Sequence, residues 1–250
     1  MIDGSLQSVL ESVAETRVLL VASDYDGTLS PIVNNPAAAT PDEQALATLV
    51  RIGRLQDTLA VIVSGRSLDT LRRLTGAPPG VTLIGSHGAE AAVQTVDAAL
   101  AARASTLGQD MNRLAARHRG AEVELKPSGV AFHYRNASEG SEAVAEARAL
   151  GRAAGARAME GKMVVEFVFA DTDKGAAIED FRTRSGATAV VFIGDDVTDE
   201  HVFATLEVGD VGIKVGPGHS RARFRVPVQP DVGDVLLVLE SARQANDLLE

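Results

Sequence analysis

Two acidic segments hold the residues best suited to chemistry. Asp24 and Asp26 follow the apolar run Val18 to Ala22. Asp195 follows a second apolar run, Ala189 to Ile193. Carboxylates that lie close together repel one another unless a cation comes between them. Mg²⁺ is a hard ion that proteins often bind with one or two carboxylates and a substrate phosphate. The two segments therefore predict a shared Mg²⁺ site with nucleophilic or acid–base chemistry at its carboxylates.

Each acidic segment also has a simpler interpretation. The first could be an acidic turn after a strand, although a calcium loop is disfavoured because Thr28 and Leu29 stand where a further ligand and a glycine are needed. In the second segment, Asp199 and Glu200 could serve only as the acidic start of a helix. Asp195 lies nearer the strand end and is harder to explain in that way.

A hydroxyl and a lysine lie at two further element boundaries. Ser64, in Ser64-Gly65-Arg66, follows the apolar run Leu59 to Val63, and Lys174 opens a helical segment. A hydroxyl beside backbone N–H groups can bind phosphoryl oxygens, and a lysine can neutralise charge that develops on them. Alone, each would be an ordinary turn or surface residue, but their order along the chain favours one shared phosphate site.

The pattern of apolar runs predicts the elements that position these residues. Short apolar runs alternate with helical patterns, which indicates a parallel α/β sheet whose strand ends open onto a ligand crevice. The first clear helix is expected to begin at Thr40, with Pro41 in the first position and Glu43 completing a capping box.

The middle of the chain follows another pattern. After about Val93 the order is helix, hairpin, helix, hairpin, with the second hairpin turning at Glu160 to Lys162. The strand–helix alternation resumes after Asp171. We therefore expect an α/β core formed by residues 1–91 and 171–250, and an inserted α+β domain at 92–170.

Composition narrows the class of protein. The chain has 250 residues, a formal charge of −10 and no cysteine. An acidic balance without a basic run disfavours nucleic-acid binding, and a Cys-ligated metal site is excluded. Without a leader pattern or an apolar run of about 18 residues, we expect a protein that is cytoplasmic and does not contact membranes.

The basic residues are unevenly divided between 20 arginines and four lysines. A general bias of the composition towards arginine explains the 20 arginines. A lysine that persists against such a background can mark a position that needs a compact point charge. Three of the four, Lys126, Lys162 and Lys174, lie in segments that we assign to the site, whereas Lys214 does not.

In combination the segments resemble the haloacid dehalogenase (HAD) superfamily of phosphotransferases, whose four motifs correspond here to Asp24 with Asp26, Ser64, Lys174, and Asp195 with Asp196. The resemblance implies a Rossmann-like parallel-sheet core with an inserted α+β cap. It also implies that Asp24 attacks phosphorus to form an aspartyl phosphate while Asp26 acts as acid and base. Mg²⁺ would be bound by Asp24, the backbone carbonyl of Asp26, and Asp195.

A narrower resemblance is to trehalose-6-phosphate phosphatases. The segments that carry it are Gly85 to Glu90, Lys126-Pro127, His133 to Arg135, Gly161-Lys162 with Glu166, and Gly194 to Glu200. In that family cap residues grip the remote sugar, which implies sugar-binding roles for Lys126, Lys162 and Glu166. The other expected substrate-binding residues are Arg66, His87, Glu90 and Arg135. Of these, Arg66 and His87 could instead be structural, and Arg135 could support the cap.

The resemblance implies hydrolysis of trehalose 6-phosphate, the last step of trehalose biosynthesis. Two alternatives stay open. The chain could be another sugar-phosphate phosphatase or a phosphomutase with a similar cap, or it could be a catalytically silent sugar-phosphate-binding module. The joint presence of Asp24, Asp26, Lys174 and Asp195 argues against a silent module.

Overall fold

Strands and helices alternate through the residues that the computed structural model describes, 2–91, 98–161, 163–169 and 173–247. The strands are Leu19–Ser23 (β1), Thr58–Val63 (β2), Val81–Gly85 (β3), Glu90–Ala91 (β4), Glu122–Lys126 (β5), Gly129–His133 (β6), Arg157–Gly161 (β7), Val164–Val168 (β8), Ala189–Gly194 (β9), Val211–Val215 (β10) and Phe224–Val226 (β11). The helices are Gly4–Val13 (α1), Glu43–Ile52 (α2), Leu68–Thr75 (α3), Ala98–Ala115 (α4), Gly140–Ala153 (α5), Lys174–Ser185 (α6), Glu200–Thr205 (α7) and Asp231–Asp247 (α8).

Contacts divide the chain into two units. One comprises Met1–Ala92 with Thr172–Glu250, and the other Val93–Asp171. We call them the core unit and the inserted unit. Within the described ranges, no helix has the length and apolar character needed to cross a membrane.

The core unit contains the predicted parallel sheet. Its strand order is β11-β10-β9-β1-β2-β3-β4, and all neighbours are parallel except β3 and β4. Side chains alternate between two apolar layers: Leu19 and Val21 pack with α1, α2 and α8, and Leu20 and Ala22 pack with α6 and α7. Because helices cover both faces, the central strands are apolar throughout. This explains the unbroken apolar runs and confirms the predicted α/β fold.

Strand register brings the candidate residues to one edge of the sheet. Ser23, the last residue of β1, pairs with Ile62 on β2 and with Ile193 on β9. The three strands run in the same direction and end at nearly the same level. The segments that follow them, which begin with Asp24, Ser64 and Asp195, therefore lie at the same edge of the core unit.

Helix α2 begins later than the sequence predicts. Its N-cap is Asp42, whose Oδ1 accepts a hydrogen bond from the Ala45 amide at 2.8 Å. The predicted start at Thr40 is wrong because the preceding segment is held outside the helix. The Thr40 carbonyl accepts from the Ser30 hydroxyl at 2.9 Å, and the Asp42 amide donates to the Leu29 carbonyl at 2.7 Å.

The inserted unit has the predicted order of helix, hairpin, helix and hairpin. Its antiparallel sheet has the order β5-β6-β8-β7. One face packs against α4 and α5 through a buried cluster that includes Leu107, Met111, Phe132, Val165 and Phe167. The alternate residues of the same strands belong to the opposite face.

Candidate active site

Three carboxylates of the core unit form an acidic cluster in which Asp24 and Asp199 are buried and Asp195 is partly buried. Asp24 follows β1, and Asp195 and Asp199 follow β9; one oxygen of each lies within 4.8 Å of the others. Gly27, in the loop after β1, has a φ of 85°, and a Cβ at this position would collide with the Asp195 carboxylate. A glycine is therefore required for the two loops to approach one another.

Lys174 connects the carboxylates. Its Nζ donates to Asp24 Oδ1 at 2.6 Å and to Asp199 Oδ1 at 2.8 Å, and 3 % of its side chain is exposed. The residue is the first of α6, where Asp173 caps the helix by accepting from the Ala176 amide at 3.0 Å. The helix start thus fixes the lysine at the strand ends.

The Asp199 carboxylate bonds both to the backbone of the turn after β9 and to Lys174. Its Oδ2 accepts from the amides of Asp195 and Asp196, each at 2.9 Å, while Oδ1 accepts from Lys174. The sequence left open whether Asp199 only begins a helix. With both oxygens bonded, it orders the turn that carries Asp195 and holds the lysine in place.

Like charges perturb the titration of this cluster. Burial raises the pKa of Asp24 well above its usual range; Lys174 opposes that effect, and Asp199 and Asp195 add to it. Burial and then Asp199 raise the pKa of Asp195 to about 6. Burial alone would lower the pKa of Lys174, but the charges of Asp199 and Asp24 outweigh it and raise that pKa. Such a set of carboxylates has excess negative charge that a cation can offset.

The donor set fits a divalent cation that prefers oxygen ligands. Asp195 Oδ1 is buried and has no hydrogen-bond partner among the residues described. An unbonded buried carboxylate oxygen costs free energy, and a hard cation such as Mg²⁺ would satisfy it. The cluster could therefore hold a divalent metal ion.

Asp26 lies in an ion pair with Arg66. The guanidinium donates from Nε to Oδ2 at 2.7 Å and from Nη2 to Oδ1 at 2.6 Å. A third bond from Nη1 to the Pro36 carbonyl, at 2.8 Å, fixes the arginine. Arg66 was predicted to contact substrate, and the structure places its guanidinium on the candidate acid–base residue.

Ser64 lies beneath a strained loop. It is buried directly after β2, and its carbonyl accepts from the His87 amide at 2.9 Å. Ser86 and His87 have φ values of 49° and 55°, an uncommon conformation for residues other than glycine. The His87 ring occupies the space above Gly65, where a Cβ would lie 2.6 Å from ring atoms. His87 and Ser64 are therefore neighbours at the strand ends.

Glu90 supports the same loop. One carboxylate oxygen accepts from the Ser86 hydroxyl, and the other accepts from the Leu68 amide at 3.3 Å. The residue is buried. Predicted as substrate-binding, Glu90 has both oxygens bonded to the protein, between the loop and the start of α3.

In the inserted unit, Lys126 and Glu166, two of the expected sugar-binding residues, form an ion pair. Lys126 Nζ lies 2.8 Å from Glu166 Oε2, and 3 % of the lysine side chain is exposed. Lys162, predicted to face the same way as Glu166, lies outside the described residues. Arg135 lies beyond the end of β6 and is exposed.

A second pair on this sheet face was not predicted. Glu124 and Glu166 both flank Ala131 in the strand register, and His133 Nε2 lies 3.4 Å from Glu124 Oε2. The hydrogen bond from His133 lowers the pKa of Glu124. The alternation of Glu122, Glu124 and Lys126 along β5 was a signal that could have revealed this polar face.

The parallel sheet, with carboxylates, a hydroxyl and a lysine at one edge, defines a HAD-like α/β protein. The trehalose-phosphatase family model matches residues 22–229. The chain belongs to this family.

Several curated proteins are similar to this chain. Trehalose-6-phosphate phosphatase of Escherichia coli is 32% identical over 88% of this chain and 86% of its own length. The bifunctional trehalose-6-phosphate synthase/phosphatase of Thermoproteus tenax is 34% identical over 89% of this chain and 32% of its length. The trehalose-phosphate phosphatase of Mycobacterium avium is 38% identical over 75% of this chain and 51% of its length. The chain thus spans about a third of the length of the T. tenax protein and about half of the length of the M. avium protein.

Solved structures share the fold. The C-terminal domain of Candida albicans trehalose-6-phosphate phosphatase superposes with a TM-score of 0.78 at 21% identity, over 94% of this chain and 96% of that one. A trehalose-6-phosphate phosphatase related protein gives a TM-score of 0.77 at 26% identity, over 89% of this chain and 97% of that one.

Proposed function

We propose that this chain hydrolyses trehalose 6-phosphate to trehalose and inorganic phosphate, the last step of trehalose biosynthesis. Family membership and the E. coli relative, most of whose length the chain spans, support the substrate. The observation that carries the chemistry is the 2.6 Å bond from the buried Lys174 to the buried Asp24 within the acidic cluster. A carboxylate held in this way is a positioned nucleophile.

Asp24 is the proposed nucleophile. The bond from Lys174 fixes Oδ1, which leaves Oδ2 to attack the phosphorus and form an aspartyl phosphate. The Lys174 ammonium then stabilises negative charge that develops on the transferred phosphoryl group. Ser64 and the backbone amides beside it are the proposed binding groups for the remaining phosphoryl oxygens.

Asp26 is the proposed acid and base. It would protonate the departing sugar oxygen and then take a proton from the water that hydrolyses the aspartyl phosphate. In the structure both Asp26 oxygens accept hydrogen bonds from Arg66. We propose that Asp26 leaves this ion pair to act as the acid, and that Arg66 is a positioning residue.

Mg²⁺ is the proposed cofactor, held by Asp24, Asp195 and the backbone carbonyl of Asp26. When bound, it would neutralise the anionic nucleophile and phosphate and polarise the phosphoryl group. We do not propose Asp199 as an Mg²⁺ ligand, because both of its carboxylate oxygens are already bonded within the protein.

The inserted unit is the proposed specificity cap, with residues 92–170 as its extent. Its Lys126–Glu166 pair offers a donor and an acceptor in fixed positions, the arrangement needed to bind the hydroxyl groups of a sugar. Lys162 and Arg135 are the further proposed sugar ligands. A site built to hydrogen-bond hydroxyl groups discriminates strongly against substrates that lack them.

Substrate profiling tests the proposal. With Mg²⁺ present, kcat/KM for trehalose 6-phosphate should exceed that for glucose 6-phosphate and sucrose 6-phosphate by about 10²-fold or more, because only the first offers the complete sugar. Release of inorganic phosphate is the measurement. Preference for another sugar phosphate would make the substrate wrong, turnover only with a bisphosphate activator would indicate a mutase, and no turnover would indicate a silent module.

Acidification should weaken Mg²⁺ binding. Burial raises the pKa of Asp195 to about 6, so its proton competes with Mg²⁺ below that pH. Protonation of Asp195 alone should raise the dissociation constant for Mg²⁺ about tenfold per pH unit below 6. The added stability from Mg²⁺ should be present above pH 6 and lost as the pH falls through it.

Calorimetric titration with Mg²⁺ at pH 7, 6 and 5 is the measurement, and a constant affinity would contradict the prediction. Asp195→Asn should weaken binding at pH 7 and flatten the pH dependence. Asp69→Asn, which changes an exposed residue of α3, should retain the wild-type profile.

A further inference from the structure

The fourth lysine of the chain lies beside the acidic cluster. Lys214 is on β10, opposite Gly194 of β9 in the strand register. Its ammonium group donates to the backbone carbonyl of Asp195, and 5% of the residue is exposed. Lys214 takes no part in the proposed hydrolysis.

A lysine within this strand needs an explanation. Every residue of β10 is buried, and burial of an ammonium group costs free energy unless acceptors or opposite charges offset it. Within the described part of the chain, no carboxylate oxygen lies within 4.0 Å of Lys214, whereas Lys174 contacts two. The hydrogen bond that holds Lys214 in place is therefore the one to Asp195.

This bond completes a clamp on one peptide segment. The Asp195 amide donates to Asp199 Oδ2 at 2.9 Å, and its carbonyl accepts from Lys214. The Asp195 backbone is thus held from both sides, while Oδ1 of its carboxylate has no hydrogen-bond partner in the described residues. A fixed backbone that carries a carboxylate oxygen without a protein partner is preorganised to receive a ligand.

We propose that Lys214 is a positioning residue that orients Asp195 for Mg²⁺. The inference rests on the proposed function, since it assigns Asp195 to the ion. Partners that orient a metal ligand are typically worth 10–100-fold in metal affinity. Coulomb repulsion alone predicts the opposite sign, because removal of a nearby positive charge would strengthen Mg²⁺ binding. The two effects can therefore be separated by experiment.

Mg²⁺ titration of the full chain tests the proposal by calorimetry. Lys214→Met should raise the dissociation constant about 10–100-fold, and Lys214→Gln provides a second neutral variant if the first does not fold. Arg72→Met removes an exposed positive charge of α3 and should leave Mg²⁺ affinity unchanged. An unchanged or lower dissociation constant in the Lys214 variants would overturn the proposal.

Amide hydrogen exchange without Mg²⁺ supplies an independent measurement. The amides of Asp195 and Asp196, which bond to Asp199, should exchange faster in Lys214→Met than in wild type. Equal exchange would overturn the positioning role. If the wild type binds Mg²⁺ but releases no phosphate from trehalose 6-phosphate, the proposed activity fails while the Lys214 result stands. If the wild type binds no Mg²⁺, the proposal that Lys214 orients Asp195 for the ion is overturned. Hydrogen exchange then tests only whether Lys214 holds the Asp195 backbone in place.

Discussion

Asp24→Asn should reduce phosphate release from trehalose 6-phosphate by on the order of 10⁴-fold or more in kcat. The amide cannot form the aspartyl phosphate, so the two-step displacement is lost and not merely slowed. The change is nearly isosteric, and Lys174 keeps its second carboxylate, Asp199. We therefore expect the variant to fold and to keep a melting temperature close to that of the wild type. The lost activity would then reflect the missing nucleophile and not unfolding.

Asp69→Asn is the matched control, since it makes the same substitution on an exposed residue of α3. It should leave both kcat and the melting temperature at wild-type values. Retained activity in Asp24→Asn would falsify the nucleophile assignment. Rapid-quench detection of phosphate bound to wild-type protein, and its absence from the variant, would identify the intermediate directly.

Lys174→Arg should lower kcat by about 10²-fold although it conserves charge. The ammonium group lies between Asp24 and Asp199, with 3% of its side chain exposed, so the larger planar guanidinium has no room to keep both bonds. A change of geometry here moves the nucleophile as well as the positive charge. Turnover should therefore decline without a matching increase in KM.

Arg184→Lys supplies the control for this exchange. It reverses the substitution on the same helix, at a partly exposed residue paired with Asp180, and should be kinetically silent. Wild-type turnover in Lys174→Arg would show that a positive charge suffices at this position. The scarcity of lysine would then carry no information about the site.

Much of the fold was predictable because its main signal is local. The apolar runs that became β1, β2 and β9 are buried on both faces of the sheet, and such strands need no long-range information to be recognised. Helix α1 was missed although Leu6, Leu10 and Val13 have the spacing of one helical face. The start of α2 was misplaced because tertiary hydrogen bonds at Thr40 and Asp42 overrode a local capping pattern.

The site was predictable to the extent that its residues immediately follow strands. Asp24, Ser64 and Asp195 follow β1, β2 and β9, and parallel strands that end together must bring such residues together. The proximity of Lys214 to Asp195 could not be foreseen, because 19 positions separate them and only the pairing of β10 with β9 makes them neighbours.

The sequence by itself determined the chemistry available: which carboxylates, lysines and hydroxyls lie at element boundaries, and in what order. Composition and periodicity suffice for this because they depend on residues a few positions apart. The tertiary structure alone decided which charges meet. Arg66 forms an ion pair with Asp26. Both carboxylate oxygens of Asp199 are bonded within the protein, and Lys214 donates to the backbone carbonyl of Asp195. Interactions between charges fall off with distance through space and not along the chain, so only the folded arrangement fixes their partners.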